Sequence, residues 1–151
     1  TSRAEEPSGD ILVRGSQLKG IRIGRKEIPS LIDELPIIMV AASLAKGKTV
    51  LSGIGELRVK ETDRIASMTK NLKRMGVSIE VSKLKGDSEE IIIYGREELN
   101  GAPLKSFGDH RTAMSMVVAA FAAKGKSRID DVSCIDKSFP GFVETLYSLR
   151  R

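Results

Sequence analysis

Four short polar clusters carry the side chains of this sequence that could do chemistry: Asp33-Glu34, 60–64 (KETDR), 108–111 (GDHR) and 136–138 (DKS). Arginine binds carboxylate and phosphate groups through parallel hydrogen bonds, and lysine binds them as a point charge. Carboxylates among these cations are unusual for a simple anion site. Carboxylates in this setting favour proton transfer. Acid/base chemistry needs positioned groups whose pKa values can be shifted in opposite directions by burial and by the surrounding cations. The clusters predict a site that binds a phosphate- or carboxylate-bearing ligand and moves protons.

Each cluster also has an ordinary structural interpretation. Lys60 and Arg64 are four residues apart, with acidic neighbours, as on a solvated helix face with local ion pairs. Asp33 and Asp109 stand where they could simply cap helices. His110 is the only histidine, which excludes a zinc site built on several imidazoles. Recurrence favours function, because four charged clusters at four equivalent helix starts are harder to attribute to chance than one.

The elements that must position these clusters come from a sequence that repeats itself. AASLAKGK at 41–48 matches AAFAAKGK at 119–126, an offset of 78, and DILVRGSQLKG from residue 10 resembles EIIIYGREELNG from residue 90. The matching flanks extend the similarity beyond one motif. We therefore expect a polar tail over 1–9 and two structural repeats, over about 10–89 and 90–151.

Each repeat is predicted to have the order β-α-β-α-β-β, which defines an α/β fold with helices in its interior. The β-branched runs at 11–14 and 91–94 predict strands. Residues 35–45 and 113–123 are almost wholly apolar, which predicts helices buried on all sides. The helix limits are predicted from Asp33 and Asp109 as caps, Pro36 in a first turn, and Gly47, Gly125 and Gly76 as ends. Further strands are predicted at 49–51 and 127–129, and second helices from near Glu61 to Met75 and from near Ser138 or Phe139 to about Leu149.

Composition narrows the function classes. The net charge is +5 and the sequence pI is near 9.4, which favours anionic partners. Aromatic residues make up 4% and tryptophan is absent, so little is available for stacking nucleic-acid bases. Cys134, the only cysteine, is interpreted as packing; a single cysteine excludes an intrachain disulfide and favours a reducing, cytoplasmic setting. No apolar run approaches the length of a membrane span. A nonenzymatic basic α/β module that binds RNA or protein stays open as an alternative.

Three motifs carry a family resemblance. LRVKETDRI at 57–65, FGDHRTAMS at 107–115 and DKSFPGF at 136–142 resemble, in order and spacing, the signatures of the 5-enolpyruvylshikimate-3-phosphate (EPSP) synthase family. EIPSLIDELP at 27–36 looks like the family's loop and helix with its substrate-side aspartate. The related enolpyruvyl transferase that acts on UDP-N-acetylglucosamine shares the fold and chemistry, but it is not expected to show both KETDR and GDHR. The resemblance runs from about residue 10 to the end.

The resemblance implies an inside-out α/β barrel, with about two of its repeats in this chain and the other lobe absent. It implies transfer of the enolpyruvyl group of phosphoenolpyruvate to the 5-hydroxyl of shikimate 3-phosphate, with release of phosphate and without metal or organic cofactor. The implied partners are these two substrates and the missing lobe, with glyphosate as a candidate inhibitor and neither nucleic acid nor membrane. The isolated chain is expected to hold a half-site and to be inactive.

The resemblance also assigns roles to the two carboxylates. Asp33 would bind the shikimate hydroxyls and act as a base toward the attacking one, which Lys60 also reaches. Glu61 would exchange a proton with the methylene carbon of phosphoenolpyruvate. Which of the two carboxylates acts in each step is left open by the sequence.

The remaining roles concern anion binding. Arg64 and Arg111 would clamp the carboxylate of phosphoenolpyruvate, His110 would support that pocket and Lys137 would hold the phosphate. Glu56 is a weaker substrate-binding candidate, because some members place an asparagine there and a carboxylate would repel phosphate.

Overall fold

A computed structural model describes residues 9–83 and 89–149. The first repeat has eight elements: β1 (Arg22–Ile23), α1 (Ile28–Leu31), α2 (Leu35–Ser43), β2 (Lys48–Ser52), a first 3₁₀ helix (Gly55–Val59), α3 (Arg64–Arg74), β3 (Ser78–Lys83) and β4 (Glu89–Tyr94). The second has seven: β5 (Leu99–Asn100), β6 (Pro103–Leu104), α4 (His110–Ala122), β7 (Ala123–Lys124), β8 (Arg128–Ile129), a second 3₁₀ helix (Ser133–Lys137) and α5 (Phe142–Ser148).

The first repeat builds a four-stranded mixed sheet in the order β1-β2-β4-β3. β1 is parallel to β2, and β4 is antiparallel to both β2 and β3. In the second repeat β5 pairs with β7 and β6 with β8, both parallel. The first repeat has the predicted β-α-β-α-β-β order as β1, α2, β2, α3, β3 and β4, but its first strand is β1 and not the predicted 11–14. The described elements of the second repeat follow a different order.

The two repeats agree residue by residue where their strands pair. Ile23 pairs with Leu51 in the first repeat, and Leu104 pairs with Ile129 in the second, so the later strand of each pair keeps the offset 129 − 51 = 78. The amide of Gly20 donates to the Lys46 carbonyl at 2.9 Å, as that of Gly101 does to the Lys124 carbonyl at 2.8 Å. The internal repeat predicted from the sequence is therefore a structural one.

Close backbone approach explains why glycine stands at both of these positions. A Cβ on Gly20 would collide with the carbonyl of Lys48, and a Cβ on Gly101 would collide with the carbonyl of Lys126. The same crossing of strand and turn occurs in each repeat, so the same residue type is required in each.

The main core lies between the sheet and helices α2, α3 and α4. Its fully buried side chains come from all of these elements and include Leu35, Met39, Met68, Leu72, Ile91, Ile93 and Met116. Because α4 of the second repeat packs on α2 and α3 of the first, one core joins the two repeats. This packing brings the starts of three helices to one region.

One predicted cap is confirmed and the other is wrong. Asp109 caps α4, where its Oδ1 accepts from the amide of Thr112 at 2.7 Å. Asp33 does not cap α2, whose N-cap is Glu34 without a side-chain cap bond. Glu34 has helical backbone angles because α1 leads almost directly into α2, and a side-chain cap needs an extended N-cap residue. The carboxylate of Asp33 is left for tertiary contacts.

Two strand predictions need correction. Residues 11–14 form no strand, and Ile11 is 88% exposed, because no described strand lies beside this segment to satisfy its backbone. Residues 91–94 do form a strand, but β4 pairs with β2 and β3 and so completes the first repeat rather than opening the second. The division expected near residue 89 or 90 falls inside β4.

Helix burial and helix limits also differ from expectation. α2 and α4 are not buried on all sides, since Ile37 and Phe121 are each 37% exposed. α3 begins at Arg64 rather than near Glu61, and α5 begins at Phe142, because a 3₁₀ helix precedes each of them. α3 does end as predicted: Gly76 has φ +89, and the amide of Val77 donates to the Leu72 carbonyl at 3.0 Å.

The predicted ends of α2 and α4 lie slightly too late. α2 ends at Ser43 and α4 at Ala122, so Gly47 and Gly125 fall in the turns beyond them. Within residues 9–83 and 89–149, no helix is both long and apolar enough to cross a membrane.

Candidate active site at the helix starts

A single buried guanidinium brings three of the four polar clusters together. Arg64 begins α3, and its side chain is 1% exposed. Its Nε donates to Asp109 Oδ2 at 2.9 Å, its Nη1 to Asp33 Oδ1 at 3.1 Å and its Nη2 to Glu61 Oε2 at 2.6 Å. Three sides of one planar group therefore set the positions of three carboxylates that are far apart in the sequence.

Asp109 links helix capping to this cluster. Its carboxylate is fully buried; Oδ1 caps α4 while Oδ2 holds Arg64. Beside this pair, Ser67 Oγ and Thr112 Oγ1 lie 3.3 Å apart, which joins the first turns of α3 and α4 directly. The sequence interpretation of Asp109 as a cap was correct but incomplete.

Asp33 lies between two arginines. Arg111 Nη1 donates to the Asp33 carbonyl at 3.0 Å, and Nη2 lies 3.4 Å from Asp33 Oδ2. Arg111 Nη1 also reaches Glu34 Oε2 at 3.3 Å. Asp33 precedes α2 of the first repeat, and Arg111 lies in the first turn of α4 of the second. The site is therefore built across the junction of the repeats.

The candidate carboxylates are held but not enclosed. The side chains of Asp33 and Glu61 are 45% and 53% exposed, whereas their shared partner Arg64 is buried. The guanidinium of Arg64 holds both carboxylates from the buried side, and their oxygens stay accessible from the other side. These oxygens can therefore accept a proton from a ligand on the open side. A ligand carboxylate arriving there would meet the Nη atoms of Arg64 and Arg111.

A small cleft adjoins Asp33 and Arg111. Its volume is about 160 Å³, and its other lining includes Ile37, Met114 and Phe142. Its charged lining is Asp33, Glu34 and Arg111 and the rest is mostly apolar, which suits a small ligand with one polar end. Among residues 9–83 and 89–149, no cluster of histidine, cysteine or carboxylate side chains has a metal-binding arrangement.

The other candidates stand at the edges of this cluster. Lys60 Nζ donates to Glu56 Oε1 at 2.8 Å, so the expected repulsion by Glu56 is offset by a local ion pair. His110 is half-buried at the first position of α4, next to Asp109. Lys137 ends the second 3₁₀ helix, is exposed and forms no ion pair within the described part of the chain. Four candidates thus meet directly, and Lys137 stands apart.

Arg58 is the main residue that sequence reasoning missed. Its Nε and Nη2 donate to the two carboxylate oxygens of Glu89, both at 2.9 Å, and its Nη1 donates to Asp63 Oδ2 at 2.7 Å. These hydrogen bonds, to Glu89 first and Asp63 second, raise the pKa of Arg58 above its ordinary value. Arg58 lies inside the LRVKETDRI motif, but its partner Glu89 is 31 residues away, so the sequence gives no sign of the contact.

The turn before Asp109 has an unusual backbone. Phe107 and Gly108 both have left-handed angles, with φ of 55° and 70°, and Phe107 is the only such non-glycine residue in the described ranges. Asp130 Oδ1 accepts from the amide of Ser106 at 2.8 Å, and this bond lowers the pKa of Asp130. A conformation that costs about 1–3 kcal/mol persists only where its surroundings enforce it. Here it places Asp109 beneath Arg64.

Fold and site together define a class: an α/β repeat protein in which α2, α3 and α4 pack on a mixed sheet and an arginine–carboxylate cluster lies where the helix starts converge. Comparison with known proteins agrees. The family description "EPSP synthase (3-phosphoshikimate 1-carboxyvinyltransferase)" matches residues 3–146. The chain belongs to the EPSP synthase family. The interpretation of the three motifs is therefore confirmed at the level of family.

Individual relatives support the same assignment. A protein of Geobacter sulfurreducens named 3-phosphoshikimate 1-carboxyvinyltransferase is 51% identical over 141 residues, which is 93% of this chain and 32% of the relative. A protein of that name from Geotalea uraniireducens is 50% identical with the same coverage. The structure of EPSP synthase from Acinetobacter baumannii superposes with a TM-score of 0.79 at 37% identity, covering 87% of this chain and 30% of that one. The likeness confirms the predicted fold class, and the chain spans about a third of the relatives' length.

Proposed function

We propose that this chain supplies one side of an active site that transfers the enolpyruvyl group of phosphoenolpyruvate to the 5-hydroxyl of shikimate 3-phosphate, with release of phosphate. Membership in the EPSP synthase family supports this reaction class. The name of the relatives, 3-phosphoshikimate 1-carboxyvinyltransferase, states the group that they transfer and its acceptor. The observation that supports it most strongly is the contact of Arg64 with both Asp33 and Glu61. That contact places the two carboxylates assigned to proton transfer on one rigid donor.

The proton-transfer roles fit the exposure of these groups. Asp33 takes the base role toward the attacking hydroxyl, and Glu61 takes the role at the methylene carbon. Both carboxylates are about half exposed and are held by Arg64 from the buried side, so a substrate on the open side meets oxygens of fixed position. Holding reacting groups in place lowers the entropic barrier of each step.

The anion-binding roles go to the cations around them. The Nη atoms of Arg64 and Arg111 are assigned to the carboxylate of phosphoenolpyruvate, which would replace part of their present contacts with Asp33, Glu34 and Glu61. Lys60 is assigned to the reacting hydroxyl, His110 to support of the pocket and Lys137 to phosphate. No step is assigned to a metal or an organic cofactor.

The site is proposed to be completed by a second lobe outside this chain. The chain matches about a third of its relatives, and the candidate cluster is open on one side. The other lobe would then bring further cations to the substrate phosphates. Glyphosate, which is small and anionic, is proposed as an inhibitor that competes at the same cluster.

An amide NMR titration of the chain with each substrate tests this proposal. A short RNA at matched ionic strength serves as the control ligand. We expect substrate-induced shifts confined to the neighbourhood of Asp33, 60–64, 110–111 and Lys137. A response to RNA alone, spread over the basic surface, would overturn the proposal in favour of a nucleic-acid module. A folded chain that ignores both substrates at millimolar concentration would contradict a retained half-site.

A further inference from the structure

The loop that carries Lys60 and Glu61 has no regular structure of its own. It links the first 3₁₀ helix, which ends at Val59, to α3, which begins at Arg64. Lys60 and Glu61 carry two of the proposed substrate contacts, so the loop must be held in a fixed geometry by contacts with its surroundings.

Both ends of the loop are joined through Arg58. Two parallel hydrogen bonds, each 2.9 Å, connect its guanidinium to the carboxylate of Glu89, and a third of 2.7 Å connects it to Asp63. Asp63 in turn caps α3, because its Oδ1 accepts from the amide of Ala66 at 2.9 Å. Arg58 therefore binds the residue that ends the loop while itself lying just before its start.

Glu89 gives this arrangement a rigid anchor. It is the first residue of β4 and is 6% exposed. Its carbonyl accepts from the amide of Gly53 at 2.8 Å, and it pairs with Lys83 across the sheet. A bidentate arginine–carboxylate contact fixes orientation as well as distance. Through this contact the position of the loop is fixed relative to the sheet.

The second repeat provides an internal control. It forms the same 3₁₀ helix, followed by α5, without any of this arrangement. Asp136 stands in place of Arg58 (58 + 78 = 136) and Gly141 in place of Asp63 (63 + 78 = 141). The 3₁₀ helix and the helix after it therefore form without an arginine at this position, in a repeat whose described part has no counterpart of β4. The Arg58 contacts occur in the repeat whose loop carries Lys60 and Glu61.

We propose that Arg58 is a positioning residue, which clamps the 60–63 loop to β4 through Glu89 and Asp63 and so holds Lys60 and Glu61 in their working geometry. This inference rests on the proposed function for its catalytic consequence. The clamp itself is a property of the chain and can be measured without turnover.

Amide hydrogen exchange of the chain tests the clamp. In Arg58→Gln, we expect the amides of Ala66 and Ser67, which donate to the side chain and the carbonyl of Asp63, to exchange about tenfold faster, because the end of the loop that carries Asp63 opens more easily. Amides deep in α3, such as those of Met68 and Leu72, should change less than about twofold. Unchanged exchange at Ala66 and Ser67 would overturn the proposal, and so would a uniform rise across α3, because it would show general destabilisation.

A matched control lies one residue further along the same strand. Arg22 forms an ion pair of 3.3 Å with Glu90, and its side chain is 67% exposed. Arg22→Gln removes an arginine contact to β4 without touching the loop, so the exchange of the Ala66 and Ser67 amides should stay unchanged. Faster exchange of these two amides in this variant would overturn the specific role of Arg58.

A kinetic test uses a hybrid in which this chain replaces the matching segment of the Geobacter sulfurreducens relative. Arg58→Gln should lower kcat about 10- to 100-fold, as expected for misplacement of reacting groups. KM for each substrate should change less than about threefold. An unchanged kcat would overturn the positioning role. If the unsubstituted hybrid is folded but inactive, the proposed function fails, whereas the exchange result still decides whether the clamp exists.

Discussion

The guanidinium of Arg64 and the carboxylate of Asp109 form a buried ion pair, in which Nε and Oδ2 lie 2.9 Å apart and the two side chains are 1% and 0% exposed. The pair joins α3 of the first repeat to α4 of the second. The two outer nitrogens of the same arginine hold Asp33 and Glu61. Stability of the repeat junction and geometry of the candidate site therefore depend on one residue.

Substitution of Arg64 should destabilise the chain strongly. Arg64→Gln leaves the carboxylate of Asp109 buried without its charge partner, a change that costs about 3–5 kcal/mol in comparable cases. Arg111→Gln removes ion pairs of a half-exposed arginine and should cost at most about 1 kcal/mol. Urea unfolding of the two variants measures the difference. Equal losses of unfolding free energy in the two variants would contradict a larger contribution from the buried pair.

Two substitutions at Asp109 separate its capping role from its contact with Arg64. Asp109→Ser keeps a cap acceptor for the Thr112 amide, whereas Asp109→Ala keeps neither role. Both variants should lose the contribution of the ion pair, and alanine should be less stable than serine by about 1 kcal/mol. Thermal or urea unfolding tests this order. A serine variant as stable as the parent would contradict the importance of the Arg64 contact.

The repeat predicts paired effects at Gly20 and Gly101. In Gly20→Ala and in Gly101→Ala the new methyl group meets the carbonyl of Lys48 or Lys126, and each variant should lose about 1–3 kcal/mol of stability. Gly15→Ala is the control, because no atom lies within 4 Å of a Cβ at that position. Urea unfolding of the three variants is the measurement. Tolerance at either repeat position would contradict the shared backbone crossing.

Acid stability should depend on Asp130. Its pKa is lowered from 3.8, chiefly by the hydrogen bond from the Ser106 amide. A lowered pKa in the folded state adds stability above the unfolded value, and this stability is lost as the pH falls through the folded value. Stability measured by urea unfolding should therefore fall below about pH 4, and less steeply in Asp130→Asn. A loss of stability as steep in Asp130→Asn as in the parent would contradict this contribution.

The sequence predicted those parts of the fold that depend on local pattern. Apolar periodicity and the repeat predicted α2, α3 and α4, and the motifs placed the chain in its family. Residues 11–14 show the limit, because a strand-forming sequence adopts a strand only beside a partner. Likewise, β4 belongs to the first repeat because it pairs with β2 and β3. The apolar pattern of a strand does not specify which strands it pairs with.

The candidate site was predictable in its residue types but not in its connections. Charge at the helix starts identified Asp33, Glu61, Arg64 and Arg111. Burial of Arg64 beneath its partners depends on how α3 and α4 pack, and no spacing rule contains that information. Arg58 was missed for the same reason, since its anchor Glu89 lies on a distant strand.

Turnover of the hybrid protein tests the central claim most directly. Phosphate release from phosphoenolpyruvate and shikimate 3-phosphate would be followed in the hybrid, in its Asp33→Asn and Glu61→Gln variants, and in Glu98→Gln as an exposed control. We predict activity within about tenfold of the parent relative, a loss of about 100-fold or more in each site variant, and no loss in the control. A folded hybrid whose activity is indifferent to both Asp33 and Glu61 would contradict the account.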